Sequence, residues 1–194
     1  MPPISDAPSS GGDLRCFFPL VRTVQSEIQP HKRYIIPEHQ FGFRSQHATT
    51  EQVCRIVNAV RTAFERKRHC PGVFLDVKQA FDRVWLEGLI HEISEYLPEQ
   101  TVQLSSSYLF DRSYVVHYGD AKSDTHPILA GVPEGSILGP LLYLLYTSDI
   151  PTTKHTITAT FADDTAILAP HNDYNEAITA LQHSLNKVSS WARK

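Results

Sequence analysis

Long apolar runs, paired cysteines and a basic charge excess are all missing from this sequence. No apolar run approaches the roughly 20 residues that a membrane helix needs, and the N-terminus lacks the basic start and apolar stretch of a secretory signal. These absences predict an intracellular protein without membrane contact. The three cysteines, Cys16, Cys54 and Cys70, form no C-x-x-C pair, so we expect reduced thiols rather than a disulfide framework.

Charge and histidine spacing argue against two further classes of protein. The net charge is -3, whereas a free-standing nucleic-acid binder is usually basic, so any phosphate contact must come from local patches. The densest such patch is 66–68 (RKR), which is equally typical of a helix C-terminus. The ten histidines show no zinc-finger spacing. With 41% hydrophobic residues in 194, the chain should form one globular core or two small lobes.

The first third of the chain predicts a loop, a glycine segment and a helix. Residues 1–20 carry turn formers without periodicity, which indicates poor order. The segment 39–44 has aromatic residues around Gly42, which suits either a close backbone approach or a packed loop. From Thr49, a capping box with Gln52 precedes an amphipathic helix. The apolar stripe of that helix is Val53, Ile56, Val57, Val60 and Phe64.

A strand with a carboxylate at its end follows. Residues 73–77 read as a buried strand that ends at Asp76, and an apolar pattern at helical spacing then predicts a helix directly after it. The residues of this pattern are Phe81, Val84, Trp85 and Leu89. An aspartate at such a junction is most often the N-cap of the helix, so Asp76 alone does not indicate a catalytic group.

The second half alternates hairpins and helices. Helical patterns cover 91–97 and 102–109, and a β-hairpin is predicted within 114–129. A loop with three glycines and two prolines, 131–140, leads into an apolar helix for which Ser136 is a candidate N-cap. The final amphipathic helix is predicted from Ile178, Leu181, Leu185, Val188 and Trp191.

Two adjacent carboxylates, Asp163 and Asp164, stand in a tight turn between β-prone arms. Adjacent aspartates repel each other, and a hairpin tip normally prefers glycine or asparagine. For an isolated pair, surface charge on a soluble hairpin is the commoner explanation. The order of elements, however, predicts an α+β fold whose antiparallel sheet brings Asp76 beside this turn, with helices packed on one face. Three convergent carboxylates favour Mg²⁺, and two such ions serve in-line phosphoryl transfer.

Residues 74–85 (FLDVKQAFDRVW), 131–140 (GVPEGSILGP) and 161–164 (FADD) resemble the three palm motifs of reverse transcriptases of non-LTR retrotransposons, with a jockey-like character. Residues 39–52 are similar to the fingers motif that precedes them. The resemblance implies a right-hand polymerase palm, a ferredoxin-like antiparallel sheet with helices on one face, plus partial fingers. It also implies RNA-directed DNA polymerase activity, with an RNA template, a DNA primer and deoxynucleoside triphosphates as partners.

The resemblance also assigns the catalytic centre. Asp76 and Asp163, helped by the Val77 carbonyl, would hold two Mg²⁺ ions, and Asp164 would complete the acidic centre. Catalysis would then rest on positioning and charge neutralisation.

Nucleotide contacts are assigned in the same way. The amides of Gln79 and Ala80 would cradle the triphosphate. Phe81 occupies the position of the family's steric gate against the sugar, although it could simply pack in the core. Gly135 would let its loop approach the template base pair closely, and Arg44 is the nearest cation for the fingers.

Glu134 departs from the family, which usually has glutamine there. A carboxylate only accepts hydrogen bonds and adds negative charge near a triphosphate, so nucleotide binding should suffer. The implied organisation is an eroded N-terminal segment (1–30), partial fingers (31–70) and a palm (71–194) that stops before its last strand, the primer grip and the thumb. We therefore expect this chain to be weak or inactive as a polymerase. The alternative is an inactive retroelement remnant with at most nucleic-acid binding.

Two other classes share part of this pattern. A nucleotidyl cyclase has a palm-like sheet and two metal-binding carboxylates but needs neither the 131–140 loop nor a primer. A receiver domain also combines an aspartate pair with a lone aspartate, but there the pair comes first in the chain, which is the reverse of the order here.

Overall fold

Residues 35–193, together with 22–23 and 26–27, are described by a computed structural model of the chain. The expectation of poor order for residues 1–20, and most of the segment 1–30, lies outside these described residues. The described residues divide into a helical unit, which includes 79–146, and a sheet unit, 35–78 with 147–193. In the described part of the chain, no helix has the length and apolar character needed to cross a membrane.

The sheet unit contains a three-stranded antiparallel sheet. Its helices and strands are α1 (Thr49–Glu65), β1 (Gly72–Leu75), β6 (Ile157–Phe161), β7 (Asp164–Leu168) and α5 (Tyr174–Trp191). The strand order is β1-β7-β6, with β7 in the centre. The predicted pairing of the first strand with the later hairpin in one antiparallel sheet is therefore confirmed.

The helix α5 covers one face of this sheet. Its Leu181 packs with the buried Ile167 and Ala169, and partly buried apolar side chains surround them. These are Val73, Leu75, Ala180, Leu185 and Val188. The prediction of a final amphipathic helix is thus confirmed, and the helix begins after Asp173, whose carboxylate accepts a hydrogen bond from the Glu176 amide.

The first strand is less buried than its apolar sequence suggested. Phe74 is 73% exposed, although its neighbours Val73 and Leu75 pack against the cluster under α5. Successive side chains of a strand point to opposite faces, and β1 lies at the edge of the sheet, so only alternate residues reach the covered face. The prediction of a strand is right, and the prediction that it is buried on both faces is wrong.

The helix α1 is present, but both its predicted cap and its predicted face are wrong. The N-cap is Ala48, without a side-chain cap, and Gln52 is one of the two buried residues of the helix. The apolar stripe is instead largely exposed, as Val53 (51%) and Phe64 (65%) show. The helix contacts β6. The buried Gln52 side chain donates to the carbonyls of His39 and of Thr160 in β6, so it does not cap the helix.

Within residues 79–146, the helical unit contains three helices and two two-stranded sheets. Its elements are α2 (Leu86–Ser94), α3 (Glu99–Leu109), β2 (Ser113–Tyr114), β3 (His117–Tyr118), β4 (Ala121–Lys122), β5 (His126–Pro127) and α4 (Gly139–Tyr146). The helix α2 contacts both α3 and α4. The predicted hairpin is confirmed as β3 paired with β4 and, outside them, β2 paired with β5.

Two local predictions in this unit are wrong in position. The chain does not enter a helix directly after Asp76, because residues 78–83 form turns, Gln79 has a positive φ of 56°, and α2 begins only at Leu86. Asp76 is therefore not a helix N-cap. Ser136 makes hydrogen bonds at the start of α4, because its hydroxyl accepts from the amide of Gly139 and donates to the Pro133 carbonyl. The prediction that it is the N-cap is nevertheless wrong in position, since α4 begins only at Gly139 and its first helical hydrogen bond is accepted by the Leu138 carbonyl.

Candidate functional site

The turn between β6 and β7 carries the two adjacent carboxylates. Phe161 pairs with Asp164, so Ala162 and Asp163 alone form the two-residue loop of the hairpin. Ala162 has a φ of 57°, in the left-handed region that glycine or asparagine normally occupies at such loops. A non-glycine residue held there costs about 1–3 kcal/mol, and such strain persists only where surrounding contacts fix it.

The register of the sheet brings Asp76 to this turn. Leu75 pairs with Thr165, so the next step along the two antiparallel strands sets Asp76 opposite Asp164. Opposed residues of an antiparallel pair have Cα atoms about 4.5–5.5 Å apart and side chains on the same face. Because Leu75 packs toward α5, the alternation places Asp76 and Asp164 toward the other face. The end of β1 that precedes Asp76 and the turn that carries Asp163 and Asp164 therefore lie at the same end of the sheet.

Among the described residues, no protein cation forms an ion pair with any of the three carboxylates, Asp76, Asp163 and Asp164. Within residues 35–193, none of their side chains takes part in an ion pair or a hydrogen bond. Asp76 and Asp164 are exposed, and Asp163 is half-buried. Their mutual repulsion is therefore reduced by solvent and by any cation that binds there.

The donor set fits a hard divalent cation, since carboxylate oxygens and a nearby backbone carbonyl are the ligands that Mg²⁺ accepts. Among the described residues, however, no group of three or more His, Cys, Asp or Glu is already arranged as a metal cluster. Val77, whose carbonyl the resemblance assigns to the metals, follows Asp76 and is 45% exposed.

A residue that the sequence did not single out, Gln40, holds the strained turn. Its Nε2 donates to the Ala162 carbonyl at 3.0 Å, and its Oε1 accepts from the Ala162 amide at 2.9 Å. The same Oε1 accepts from the Gly42 amide at 2.7 Å, and Gln40 is only 5% exposed. The amide nitrogen and amide oxygen of the buried Gln40 side chain therefore hold the C=O and the N–H of Ala162, the residue before Asp163.

Gly42 makes this contact sterically possible. A Cβ on Gly42 would lie 2.1 Å from the backbone nitrogen of Ala162, closer than any side chain permits. The segment also pairs with β6, because the Phe41 amide donates to the Thr160 carbonyl and the Thr160 amide donates to the His39 carbonyl. Of the two interpretations of 39–44, the close backbone approach is confirmed. The sequence singles out Gly42, but it does not indicate that the residue close to it is Ala162.

Gln52 supports the same segment from α1. Its Nε2 donates to the carbonyls of His39 at 2.8 Å and Thr160 at 2.9 Å, and the side chain is 3% exposed. Its Oε1 is buried without a partner among the described residues. The Gln52 amide thus links α1 to the 39–44 segment and to β6, the strand that leads to the turn.

Arg44 is half-buried and serves the same segment. Its Nη1 donates to the carbonyls of Gln40 at 2.8 Å and Pro37 at 3.2 Å. This places the guanidinium against the backbone that carries Gln40. Its role toward nucleotide stays a prediction.

Burial lowers the pKa of His39 below its usual 6.5, and the positive charge of Arg55 lowers it further. The Nε2 of this histidine is buried and unpartnered among the described residues, so protonation would add a charge that the site does not accommodate. Neutral His39 is therefore the form that suits the fold.

In the helical unit, the predicted nucleotide-binding residues are mostly in turns. Gln79 is exposed in a left-handed conformation, and Ala80 is buried. Phe81 is half-buried and stacks on Tyr143 with ring centroids 4.9 Å apart. One face of Phe81 thus packs against α4, as the core interpretation required, and its role as a steric gate stays a prediction.

The glycine-rich loop of the same unit is shaped by its glycines. Gly135 has a φ of 75° with open space around its Cα, and Glu134 beside it is exposed. Gly131 has a φ of 88°, and a Cβ there would lie 2.8 Å from the Asp82 backbone. The loop therefore depends on glycine for its conformation at both positions.

Comparison with known proteins identifies the family. The profile of the family described as Reverse transcriptase (RNA-dependent DNA polymerase) matches residues 13–194. The probable RNA-directed DNA polymerase from transposon BS of Drosophila melanogaster is 41% identical over 171 residues, which are 84% of this chain and 19% of that protein. The RNA-directed DNA polymerase from mobile element jockey of the same fly is 42% identical over 165 residues, 81% of this chain and 18% of that protein. The chain spans about a fifth of the length of these relatives.

Solved structures confirm the fold. Apo telomerase from Candida tropicalis, truncated from its C-terminal domain, superposes with a TM-score of 0.64 at 12% identity over 88% of this chain and 36% of that chain. Telomerase from Candida albicans with a fragment of telomeric RNA gives the same TM-score at 11% identity, over 88% of this chain and 32% of that chain. At this identity the likeness shows the right-hand polymerase fold alone. With the family profile covering nearly the whole chain, the family prediction is confirmed: this chain belongs to the reverse transcriptase family, with relatives in non-LTR mobile elements.

Proposed function

We propose that this chain supplies the catalytic carboxylates of an RNA-directed DNA polymerase from a mobile element, which adds deoxynucleotides to a primer 3′-hydroxyl. The observation that supports the proposal is the register of the sheet, in which Leu75, the residue before Asp76, pairs with Thr165, and Phe161 pairs with Asp164 across the turn that contains Asp163. Family membership supports it, as does the absence of any ion pair at these carboxylates within the part of the chain that the structure describes.

Asp76, the Val77 carbonyl and Asp163 would hold two Mg²⁺ ions, and Asp164 would complete the acidic centre. Bound there, the ions supply charge neutralisation for the attacking and leaving oxygens of phosphoryl transfer. The protein's own contribution is to fix the carboxylates in position. Gln40 does this for Asp163 by holding both backbone groups of Ala162 in the sheet unit.

Nucleotide selection belongs to the motifs of the helical unit. The family resemblance supports phosphate binding by the amides of Gln79 and Ala80, exclusion of a 2′-hydroxyl by Phe81, and template contact by the loop at Glu134 and Gly135. The open Gly135 backbone and the exposed edge of the half-buried Phe81 are compatible with these roles.

At the level of organisation, we assign residues 31–70 to partial fingers and 71–194 to the palm. Arg44 is then the cation of the fingers part. RNA template, DNA primer and deoxynucleoside triphosphates are the proposed partners.

Primer extension on an RNA template with Mg²⁺ tests the proposal. The wild-type chain should extend the primer, and Asp163→Asn should abolish extension without unfolding the sheet unit. Asp120→Asn, at an exposed hairpin turn of the helical unit, is the matched control and should extend like wild type. Extension that survives Asp163→Asn would refute the metal site.

The competing classes give different results in the same assay. Conversion of a nucleoside triphosphate without primer would indicate cyclase chemistry instead. A chain that binds template and primer but never extends them would be an inactive remnant.

A further inference from the structure

Two adjoining cavities lie beside α1 in the sheet unit. Their volumes are about 480 and 320 Å³, and they share Arg68, Ile157 and Pro170 in their walls. The larger is lined by one face of α1, from Arg55 to Arg66, and the smaller by 154–157 and 170–172. We call this pair of cavities the basic groove, because of the side chains that follow.

The charges of the basic groove are all of one sign. The fixed charges are those of Arg55, Arg66 and Arg68 at the larger cavity and of Lys154 and Arg68 at the smaller one, which the imidazoles of His155 and His171 also line. Among the described residues that line either cavity, none is aspartate or glutamate. The whole chain has a net charge of -3, so this concentration of fixed positive charge is a local feature and not a reflection of composition.

The Arg55 guanidinium lies over the Phe41 ring, with its central carbon 5.7 Å from the ring centroid, but it keeps unused hydrogen-bonding capacity. Nη1 of Arg55 is buried and forms no hydrogen bond within the described residues. Arg68 is held differently, since its Nε donates to Asn172 Oδ1 at 2.8 Å, which leaves its other nitrogens for a ligand. An anion that enters the groove would therefore meet one preorganised guanidinium and one whose hydrogen-bonding capacity is unused.

The groove lies away from the carboxylate turn. It begins at Ile157, the first residue of β6, whereas the turn follows Phe161 at the other end of this strand. Strands rise about 3.3 Å per residue, so Ile157 is roughly 15 Å from the turn along the sheet. The Arg55 end of the groove is nearer to the 39–44 segment, since its guanidinium lies over the Phe41 ring. Arg55 and Arg66 are three helical turns apart, about 16 Å along α1. The groove is thus long enough for more than one phosphate of a nucleic-acid strand, whose charges lie about 3.4 Å apart along the axis of B-DNA.

We propose that the basic groove binds the phosphodiester backbone of a nucleic acid at a second site, separate from the carboxylate turn. The lining offers cations spread along its length but no phenylalanine, tyrosine or tryptophan on which a base could stack. Binding there is therefore independent of base sequence and strongly dependent on salt. The site lies outside the catalytic residues and does not depend on the proposed reaction.

The test compares two variants of the full chain by fluorescence anisotropy with a 20-nucleotide single-stranded RNA, in EDTA so that no metal acts at the carboxylates. Arg66→Gln/Lys154→Gln removes two exposed cations of the groove. Arg61→Gln is the matched control, because Arg61 is on the same helix, outside the groove, and pairs with Glu65 at 3.5 Å.

The double variant should flatten the slope of log K against log salt by about 1.4, since each phosphate contact on a single strand contributes about 0.7. At 0.1 M salt that change corresponds to roughly 25-fold weaker binding. Arg61→Gln should change the affinity less than about threefold. Two RNAs of different sequence should be affected alike.

Either of two results would overturn the proposal. One is a double variant that binds RNA like Arg61→Gln. The other is a double variant that loses affinity for poly-glutamate but keeps its affinity for RNA, which would make the groove a protein-binding surface. Failure of primer extension has no bearing on this measurement, because the assay contains no metal, primer or nucleotide.

Discussion

Replacing Gln40 with alanine should destabilise the sheet unit by about 3 kcal/mol. The substitution removes hydrogen bonds of 3.0 and 2.9 Å to the backbone of Ala162 and one of 2.7 Å to Gly42. Each such bond contributes about 1 kcal/mol net, and a buried backbone group left without a partner costs at least that much. The strained conformation of Ala162 then loses the contacts that hold it.

Gln52→Ala is the matched comparison, because Gln52 is also a buried glutamine that binds the 39–44 segment and β6. It donates two hydrogen bonds, but its Oε1 is buried without a partner among the described residues, so alanine also removes an unfavourable group. We therefore expect Gln52→Ala to cost only about 1 kcal/mol.

Urea unfolding followed by tryptophan fluorescence measures both variants. The chain has two tryptophans, and Trp85→Phe leaves Trp191, whose Nε1 donates to Asp149 Oδ1 at 2.7 Å within the sheet unit. With a slope of about 2 kcal/mol per molar urea, Gln40→Ala should lower the midpoint by roughly 1.5 M and Gln52→Ala by roughly 0.5 M. Equal shifts, or a larger shift for Gln52→Ala, would show that Gln40 does not hold the turn as described.

Three further outcomes follow from the same structure. Gly42→Ala should lower the free energy of unfolding by about 3 kcal/mol in the same assay. The added Cβ would lie 2.1 Å from the backbone nitrogen of Ala162, which cannot move aside like a side chain. A loss below about 1 kcal/mol would contradict the close approach. Burial and the charge of Arg55 lower the pKa of His39, so the unfolded chain binds the proton more tightly than the folded chain. The contribution of His39 to stability should therefore be full above pH 6.5 and fall as the pH drops below it. His39→Gln should remove this part of the pH dependence of the urea midpoint. Glu134→Gln should raise the rate of primer extension about fivefold, because one unit charge near a phosphate costs about 1 kcal/mol in water. An equal or lower rate would contradict the argument that a carboxylate at this position weakens nucleotide binding.

Local patterns were sufficient for much of the fold. The alternation of β-prone residues around Asp163 and Asp164 predicted the hairpin, and the spacing from Leu181 to Val188 predicted α5. The strand before Asp76 and its place in one antiparallel sheet followed from the order of elements. These features depend on neighbours along the chain, which a sequence displays directly.

The contacts that position the site were not visible in this way. Gln40 and Ala162 are 122 residues apart, and neither residue type indicates the other. The predicted capping box failed because Gln52 is used by carbonyls of β6 and the 39–44 segment, so a long-range contact prevailed over a local one. Apolar spacing also assigned Val53 and Phe64 to a buried face of α1, whereas the face that meets β6 is small and polar. Which face of a helix is covered depends on its partner, and periodicity alone does not name that partner.

The helix predicted directly after Asp76 failed for a related reason. Phe81, Val84, Trp85 and Leu89 have helical spacing, yet Phe81 lies in a turn and stacks on Tyr143 of α4. Gln79 adopts a positive φ in the same turn, which no simple propensity of glutamine predicts. Such departures from local preference coincide here with a motif of the reverse transcriptase family, where backbone geometry serves a site rather than a regular element.

Titration of the chain with Mn²⁺, followed by the EPR signal of the free ion, tests most directly whether Asp76 and Asp163 share one metal site. The account predicts that Asp76→Asn and Asp163→Asn each weaken binding at least tenfold, that the double variant is little worse than either single one, and that Asp120→Asn binds like wild type. Single variants that both bind Mn²⁺ like wild type, or whose losses simply add, would contradict a shared site at the end of this sheet.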